Sequence, residues 1–221
     1  MFCAICVVYS IPLNGKWRGK RYLRDDDYTV IMLYDVNGYV AGIQTAISTS
    51  STYPPSSLRP PFVDDGSRSV LTAYFTEPSK ICTTGRTAEE FAALGTGTNL
   101  YIQNGTTPES SILIPSTLSE AQQSAWSEGR CIPYMGIHFY YNLTFDMSCD
   151  QLFPVVILYN KGQLNAFAWL FTSVFQDKRN EVSPKKVYPF FISPVPKCMN
   201  TYDFLTTQHV YLTDDITLNK C

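Results

Sequence analysis

Residues 30–43 read VIMLYDVNGYVAGI, and residues 155–167 read VVILYNKGQLNAF. Each stretch has an apolar run that ends in Leu-Tyr, a polar turn that contains glycine, and a second run. Apolar residues occupy odd and even positions of the first runs alike, which is typical of strands buried on both faces. Asn37-Gly38 and Lys161-Gly162 supply the glycine of a tight turn. Each stretch therefore predicts a β-hairpin at the centre of a covered sheet.

A second match follows each hairpin along the chain. Phe75-x-x-Pro78-x-x-x-Cys82 has the same frame as Phe191-x-x-Pro194-x-x-x-Cys198. Two matches in the same order predict a duplication, with copies at about 16–85 and 131–200 inside one domain of residues 16–221. The predicted fold is mainly β: two repeated antiparallel β units that form a sandwich or a curved open barrel. Any cavity would then lie between the two sheets.

Two short helices and several further strands complete the prediction. Thr87-x-x-Glu90 and Thr117-x-x-Glu120 are capping boxes, and they predict helices that end at Gly95 and Gly129. The predicted additional strands are Tyr22–Tyr28, Ser69–Thr76, Asn99–Gln103, Ile137–Leu143, Ala166–Phe175, Lys186–Ile192 and His209–Thr213.

The composition limits the possible partners. The chain has 221 residues, of which 45% are apolar, 14% aromatic and 16% charged, and its net charge is −2. A near-neutral chain cannot draw its affinity from phosphate neutralisation, so we expect no nucleic-acid partner. No apolar run reaches the length of about 18 residues that a membrane helix needs, so we expect no transmembrane segment.

Cysteines and glycosylation motifs favour an extracellular protein. Cys82, Cys131, Cys149, Cys198 and Cys221 are disulfide candidates; Cys131–Cys149 and Cys198–Cys221 are reasonable pairings, but the sequence does not fix connectivity. Asn104 and Asn142 begin N-x-S/T sequons. Residues 1–15 are interpreted either as the remnant of a signal peptide, which would remove Cys3 and Cys6, or as a first strand.

Aromatic residues suggest a binding pocket. Phe167, Trp169 and Phe171 alternate along one predicted strand, so their rings share a face, while Ala166, Ala168 and Leu170 occupy the other face. Rings on one side and small residues on the other could line a cavity for an apolar guest. The predicted ligand-binding residues are Tyr34, Tyr140, Tyr159, Phe167, Trp169 and Phe171.

The two histidines of the chain suggest a different site. His138 and His209 both occur in an H-x-Y frame, and Met135 lies three residues before His138. Imidazole with a thioether suits copper better than zinc or calcium. The alternative is a structural histidine hydrogen-bonded beside a flexible core methionine.

Signals for catalysis are weak. The chain has no G-x-S-x-G nucleophile elbow, and its paired aspartates sit beside turn formers, where a solvated loop is the simpler interpretation. We therefore name no catalytic residue and lean towards a protein that is not an enzyme.

The segment from Trp126 to Trp169 resembles a family of uncharacterised secreted invertebrate proteins. The resemblance rests on W-x-x-G-x-C, then M-G-x-H-x-Y-Y, then F-P-V-x-x-L-Y-N-x-G-x-L-N-A-F, and it extends to TTQHVYLTDD near the C-terminus. It implies secretion and draws attention to Met135–His138, and it carries over no activity.

Three hypotheses of function follow. The first is a secreted protein that binds an apolar small molecule or lipid between its two sheets. The second is a copper-binding or copper-dependent redox protein that uses His138, His209 and Met135. The third is a structural or defensive extracellular protein that acts through its surface, for which an exposed aromatic patch would be expected.

Overall fold

The fold is mainly β, with two antiparallel sheets, one of which curls into a half-barrel. It is seen in a computed structural model that describes residues 8–11, 15–49, 53–96, 99–213 and 215–220. The chain divides into two compact units, Met1–Ile114 and Pro115–Cys221. The predicted copies, about 16–85 and 131–200, fall one in each unit. No helix in the described ranges is long and apolar enough to span a membrane.

Among its described residues, the first unit holds eight strands and two short α-helices. The strands are β1 Val8–Ile11, β2 Lys20–Arg24, β3 Ile31–Tyr34, β4 Val40–Ser48, β5 Val63–Asp65, β6 Arg68–Tyr74, β7 Tyr101–Gln103 and β8 Ser111–Leu113. The helices are α1 Pro78–Ile81 and α2 Ala88–Leu94, and Ser56–Leu58 form a 3-10 turn. The sheet runs β1-β2-β3-β4-β6-β7-β8, and β5 also pairs with β6.

In the part of the second unit that the structure describes there are six strands and one α-helix. These are α3 Leu118–Gln122, β9 Trp126–Ile132, β10 Gly136–Tyr141, β11 Val155–Asn160, β12 Gln163–Phe171, β13 Glu181–Pro184 and β14 Phe204–Tyr211. Four 3-10 segments accompany them: Cys149–Gln151, Lys185–Phe190, Lys197–Thr201 and Ile216–Leu218. The sheet runs β13-β14-β12-β11-β10-β9.

The two sheets share one strand order. Reading from one edge, β1-β2-β3-β4-β6-β5 in the first unit corresponds to β9-β10-β11-β12-β14-β13 in the second, and the first unit adds β7 and β8 beside β6. Both predicted hairpins form, as β3–β4 and β11–β12. In each hairpin the register shifts immediately after the leucine of the Leu-Tyr pair, at Leu33 and Leu158. This shared bulge gives an exact correspondence of positions between the sheets.

The two hairpin turns differ by one residue. Lys161 and Gly162 both have positive φ and join Asn160 to Gln163 directly, as in a two-residue type I′ turn. In the first unit Asp35 N–H bonds to Tyr39 O, so the loop is three residues long and ends at Gly38, with φ +88°. The extra residue accounts for the difference of one residue between the lengths of the two matching stretches, 30–43 and 155–167.

Some predicted elements are wrong. The frame that begins at Phe75 follows β6, whereas the frame that begins at Phe191 precedes β14, so the second sequence match does not mark equivalent places. The predicted strand Lys186–Ile192 is instead a 3-10 segment that contains Pro189, since proline cannot donate to a ladder. The second helix ends at Gln122, and Trp126 already pairs with Tyr141 in the sheet. Both predicted capping boxes form.

Asn165, the extra residue at the β-bulge of the second unit, stabilises the turn between β9 and β10. Asn165 occupies the position of Ala41, and its Nδ2 donates to the Met135 carbonyl at 3.0 Å. Asn219 Nδ2 donates to the carbonyl of Tyr134, and Tyr134 N–H donates to that of Asn219. The turn between β9 and β10 is therefore held by two side-chain amides.

Candidate functional site

The second unit contains a pocket of about 200 Å³ on one face of its sheet. Its floor is made by alternate residues of the four inner strands of the sheet, β10, β11, β12 and β14. Its sides come from β13, from the β9–β10 turn and from the segment Lys185–Phe190. The lining residues are Ile132, Met135, His138, Tyr140, Val156, Ala168, Leu170, Glu181, Ser183, Val187, Phe190, Phe191, Thr207 and His209. Most of the lining is therefore apolar, with a few polar groups at one side.

A small residue, Ala168, lies on the floor of the pocket beside one of its two histidines. Ala168 pairs with His209 on the neighbouring strand β14. His138 lies on β10 and pairs with Leu158 of β11, whose other partner is Ala166. The ring centroids of His138 and His209 are 6.4 Å apart.

The same face of the first sheet is filled. By the shared register, Arg21 takes the place of His138, Gln44 that of Ala168 and Thr72 that of His209. Arg21 Nε donates to Gln44 Oε1 at 2.7 Å, and Gln44 Nε2 donates to Thr72 Oγ1 at 2.8 Å. All three residues are buried.

Two more side chains complete that packing in the first unit. Arg21 Nη2 bonds to Asp65 Oδ2 at 2.9 Å, and its guanidinium lies 4.1 Å from the ring centre of Trp17. Long side chains thus fill the space that Ala168 leaves open in the second unit. The pocket follows from shorter side chains at two positions of this face, with Ala168 in place of Gln44 and His138 in place of Arg21.

The protonation of His138 is fixed by its neighbours. Its Nδ1 lies 3.2 Å from the Arg130 carbonyl and 3.1 Å from the Gly136 carbonyl. Carbonyls only accept, so Nδ1 carries the proton. Burial, and then the charge of His209, lower the pKa of His138 from 6.5 to about 4, with the carbonyl bonds opposing this. At neutral pH the ring is uncharged and its Nε2 is a lone-pair acceptor; no donor to Nε2 is found among the described residues.

His209 is held less firmly. Its Nδ1 lies 3.7 Å from Glu181 Oε2, and its ring stacks on Tyr211 with centroids 5.9 Å apart. Burial lowers the pKa of His209, while the Glu181 carboxylate raises it. The lowering effect is the larger, so His209 is also an uncharged base near neutral pH.

The structure reverses the predicted roles of the two faces of β12. Phe167, Trp169 and Phe171 are fully buried and do not line the pocket, which lies on the opposite face, with Ala168 and Leu170. The predicted alternation of large and small side chains along β12 was correct, but the pocket lies on the face that carries the small residues. This result corrects the assignment of these rings to the pocket.

Among the other predicted ligand-binding residues, only Tyr140 lines the pocket. Tyr159 is buried, packs edge to face on Phe139 and donates its hydroxyl to the Pro115 carbonyl. Tyr34 belongs to the first unit, where it packs against Tyr22. Neither tyrosine contributes to this site.

The three residues predicted for copper all line this pocket: Met135, His138 and His209. In the described part of the chain, no three His, Cys, Asp or Glu side chains form a group that could hold a metal ion. Two imidazoles and one thioether would be the whole ligand set.

The cysteine pairings considered from the sequence are wrong. Cys149 is bonded to Cys198, so neither Cys131–Cys149 nor Cys198–Cys221 forms. Cys131 is also disulfide-bonded, whereas Cys82 is a free, exposed thiol and no disulfide partner. Cys3, Cys6 and Cys221 lie outside the described residues.

The two sequons differ in accessibility. Asn142 is exposed in the turn that follows β10, with φ +48°, whereas Asn104 is half-buried beside β7. Val8–Ile11 form a strand, in keeping with the first-strand interpretation, and residues 1–7 and 12–14 lie outside the described residues.

Sequence reasoning missed the polar residues Glu181, Ser183 and Thr207 of the pocket. The strand β13, which carries the first two, was not predicted, because it is short and ends in Pro184. Thr207 is two residues before His209 and therefore shares its face, a signal that the sequence did contain.

Comparisons with known proteins add no assignment to this geometry. No family model, no curated protein and no solved structure matches the chain. The resemblance to secreted invertebrate proteins therefore stays a prediction.

Proposed function

We propose that this protein binds a small, largely apolar molecule in the pocket of its second unit. The observation that carries the proposal is the open space above Ala168, since the equivalent face of the first unit is closed by Gln44 and Arg21. Apolar walls with a few polar groups at one side are typical of small-molecule sites. The proposed site lies within one unit, rather than between the two sheets.

The size of the pocket supports a small guest over a long-chain lipid. An apolar cavity of about 150 Å³ is enough to hold benzene. A pocket of about 200 Å³ would by that measure take a guest of about eight to ten non-hydrogen atoms. An acyl chain of ordinary lipid length would extend far beyond it.

Phe167, Trp169 and Phe171 are buried and supply no exposed aromatic patch, whereas Tyr134, Phe145, Phe190 and Phe204 are exposed. Within this proposal the protein is extracellular, because the Cys149–Cys198 bond belongs to an oxidising compartment and Asn142 offers an accessible sequon.

Native mass spectrometry of protein purified from its source, together with calorimetric titration of n-propylbenzene, tests the proposal. We expect a bound small molecule in the first and saturable binding in the second. Ala168→Leu would fill the pocket and abolish binding, whereas Ala92→Leu on the exposed surface of α2 would not. Absence of binding by the wild-type protein, or equal binding by the Ala168→Leu variant, would contradict the proposal.

Copper binding is the second candidate, because Met135, His138 and His209 line one pocket. Neutral imidazoles and a thioether are ligands that suit monovalent copper. Elemental analysis of protein from its source and titration with Cu(I) against a chromophoric chelator test this candidate. One copper per chain that is lost in His138→Ala would support it, and a metal-free protein that does not compete with the chelator would rule it out.

A further inference from the structure

In the first unit one side-chain amide bridges two strands of the pocket face. Gln44 accepts a hydrogen bond from Arg21 on one side and donates one to Thr72 on the other. Its position is central in the face, and every member of this chain of hydrogen bonds is buried. The face therefore needs a polar group at this place that both accepts and donates.

In the second unit the two outer positions remain polar but the bridge is missing. His138 and His209 occupy the places of Arg21 and Thr72, and Ala168 ends at its Cβ where Gln44 carries its amide. The two imidazole rings meet edge to face with centroids 6.4 Å apart, and no amide replaces that of Gln44 above Ala168.

The free acceptor of His138 belongs to a ring that lines the pocket. Nδ1 of His138 is committed to the Arg130 and Gly136 carbonyls, so Nε2 is the remaining polar atom of the ring. His138 is only 4% exposed and lines the pocket. The lone pair of Nε2 can therefore accept a hydrogen bond from a donor on a bound molecule.

We propose that a hydroxyl group of the bound molecule occupies the place of the Gln44 amide above Ala168 and donates to His138 Nε2, with His209 beside it. This inference rests on the proposed function and names the class of ligand: a small phenol or alcohol with an apolar body. The hydroxyl suits the site because it donates and accepts at once. A carboxylate does not suit it, because an anion cannot donate to Nε2 and Glu181 stands beside His209.

Two probes of equal size separate this inference from the proposed function. 4-Propylphenol and 4-propyltoluene differ only by a hydroxyl in place of a methyl group. We expect the wild-type protein to bind 4-propylphenol about tenfold more tightly, since one net hydrogen bond is worth about that factor. Equal affinities, or tighter binding of 4-propyltoluene, would overturn the inference and leave the proposed function intact.

Substitutions of the two histidines test where the hydroxyl group of the bound phenol lies. In His138→Leu the preference should reverse in favour of 4-propyltoluene, because the hydroxyl would be buried without an acceptor. His209→Leu, a second variant should the first not fold, should weaken binding of 4-propylphenol alone. A preference that survives in both variants would place the hydroxyl elsewhere and contradict the inference.

Ala168→Gln introduces into the second unit the glutamine that bridges Arg21 and Thr72 in the first unit. We expect this variant to fold and to bind neither probe, while the surface control Ala92→Gln binds both as the wild type does. If neither probe binds to the wild-type protein either, the proposed function itself fails. Full binding of 4-propylphenol by a folded Ala168→Gln variant would show that the hydroxyl does not occupy the place of the amide.

Discussion

The imidazoles of His138 and His209 meet edge to face in the pocket of the second unit, with centroids 6.4 Å apart and ring planes at 84°. Both are bases that burial keeps uncharged near neutral pH. These two imidazoles are polar groups in a largely apolar pocket. They also make the stability of the second unit depend on pH.

The stability of the protein should fall as the pH is lowered through the range of the buried His138. Its pKa is about 4 in the folded protein against about 6.5 in an unfolded chain, so the unfolded state binds the proton first. Stability is therefore fully present above pH 6.5 and declines down to about pH 4, by about 3 kcal/mol from this residue. His209 acts in the same direction, and Glu181 opposes it.

Urea unfolding of the wild type and of His138→Leu at pH 7 and pH 4 measures this effect. We expect the difference between the two pH values to be smaller in the variant by about 3 kcal/mol. Parallel losses in both proteins would show that His138 is not the group responsible.

Removal of the Cys149–Cys198 bond should destabilise the second unit. The bond joins two 3-10 segments that pack on the pocket face and closes a loop with a sequence separation of 49 residues. In the chain-entropy description, a loop of that length contributes about 4 kcal/mol. Thermal unfolding of the double variant Cys149→Ala/Cys198→Ala checks this expectation.

Cys82→Ser is the matched control for that experiment, because Cys82 is an exposed free thiol. It should change the free energy of unfolding by no more than about 0.5 kcal/mol. A double variant as stable as this control would mean that the bond constrains little.

Gln44→Ala should open in the first unit the space that is open in the second. The change breaks two buried hydrogen bonds, leaves Arg21 Nε without its acceptor and creates a cavity. We expect a loss of about 2 to 4 kcal/mol in chemical unfolding. Gln151→Ala, at an exposed position of the Cys149–Gln151 segment, should be nearly neutral; similar losses in both variants would contradict the role given to Gln44.

Asn142 should carry a glycan when the chain passes through a eukaryotic secretory pathway, whereas half-buried Asn104 should be modified less. The exposed turn at Asn142 leaves its amide accessible. Intact-mass measurement of the secreted wild type, Thr144→Ala and Thr106→Ala checks this: the first variant should lose the main glycan and the second should keep it. The opposite pattern would assign the glycan to Asn104.

Features set by local chemistry were predictable from the sequence. The Leu-Tyr runs and glycine turns fixed both hairpins, and the reciprocal Thr–Glu bonds fixed the start of α2 and α3. The prediction of a strand at Lys186–Ile192 rested on the aromatic and β-branched residues there, and it failed because Pro189 withholds a donor that a ladder needs.

The site was predictable only in part. Alternation places Ala168 and Trp169 on opposite faces of β12, but it does not say which face is hollow. Which face is hollow depends on the side chains that neighbour Ala168 across the sheet. These are known only from the strand register, which pairs Ala168 with His209, and from the comparison with Gln44 in the first unit. His138, His209 and Met135 were singled out from the sequence because their side-chain chemistry is rare in this chain.

The two amides that hold the β9–β10 turn bear on how the proposed ligand would reach the pocket. Asn165 and Asn219 tie the turn that includes Met135 to the rest of the unit. Phe190 also lines the pocket and is 66% exposed. For the proposed ligand we therefore expect exchange to run past Phe190, with the bulk of this ring setting the rate of exchange more than the affinity.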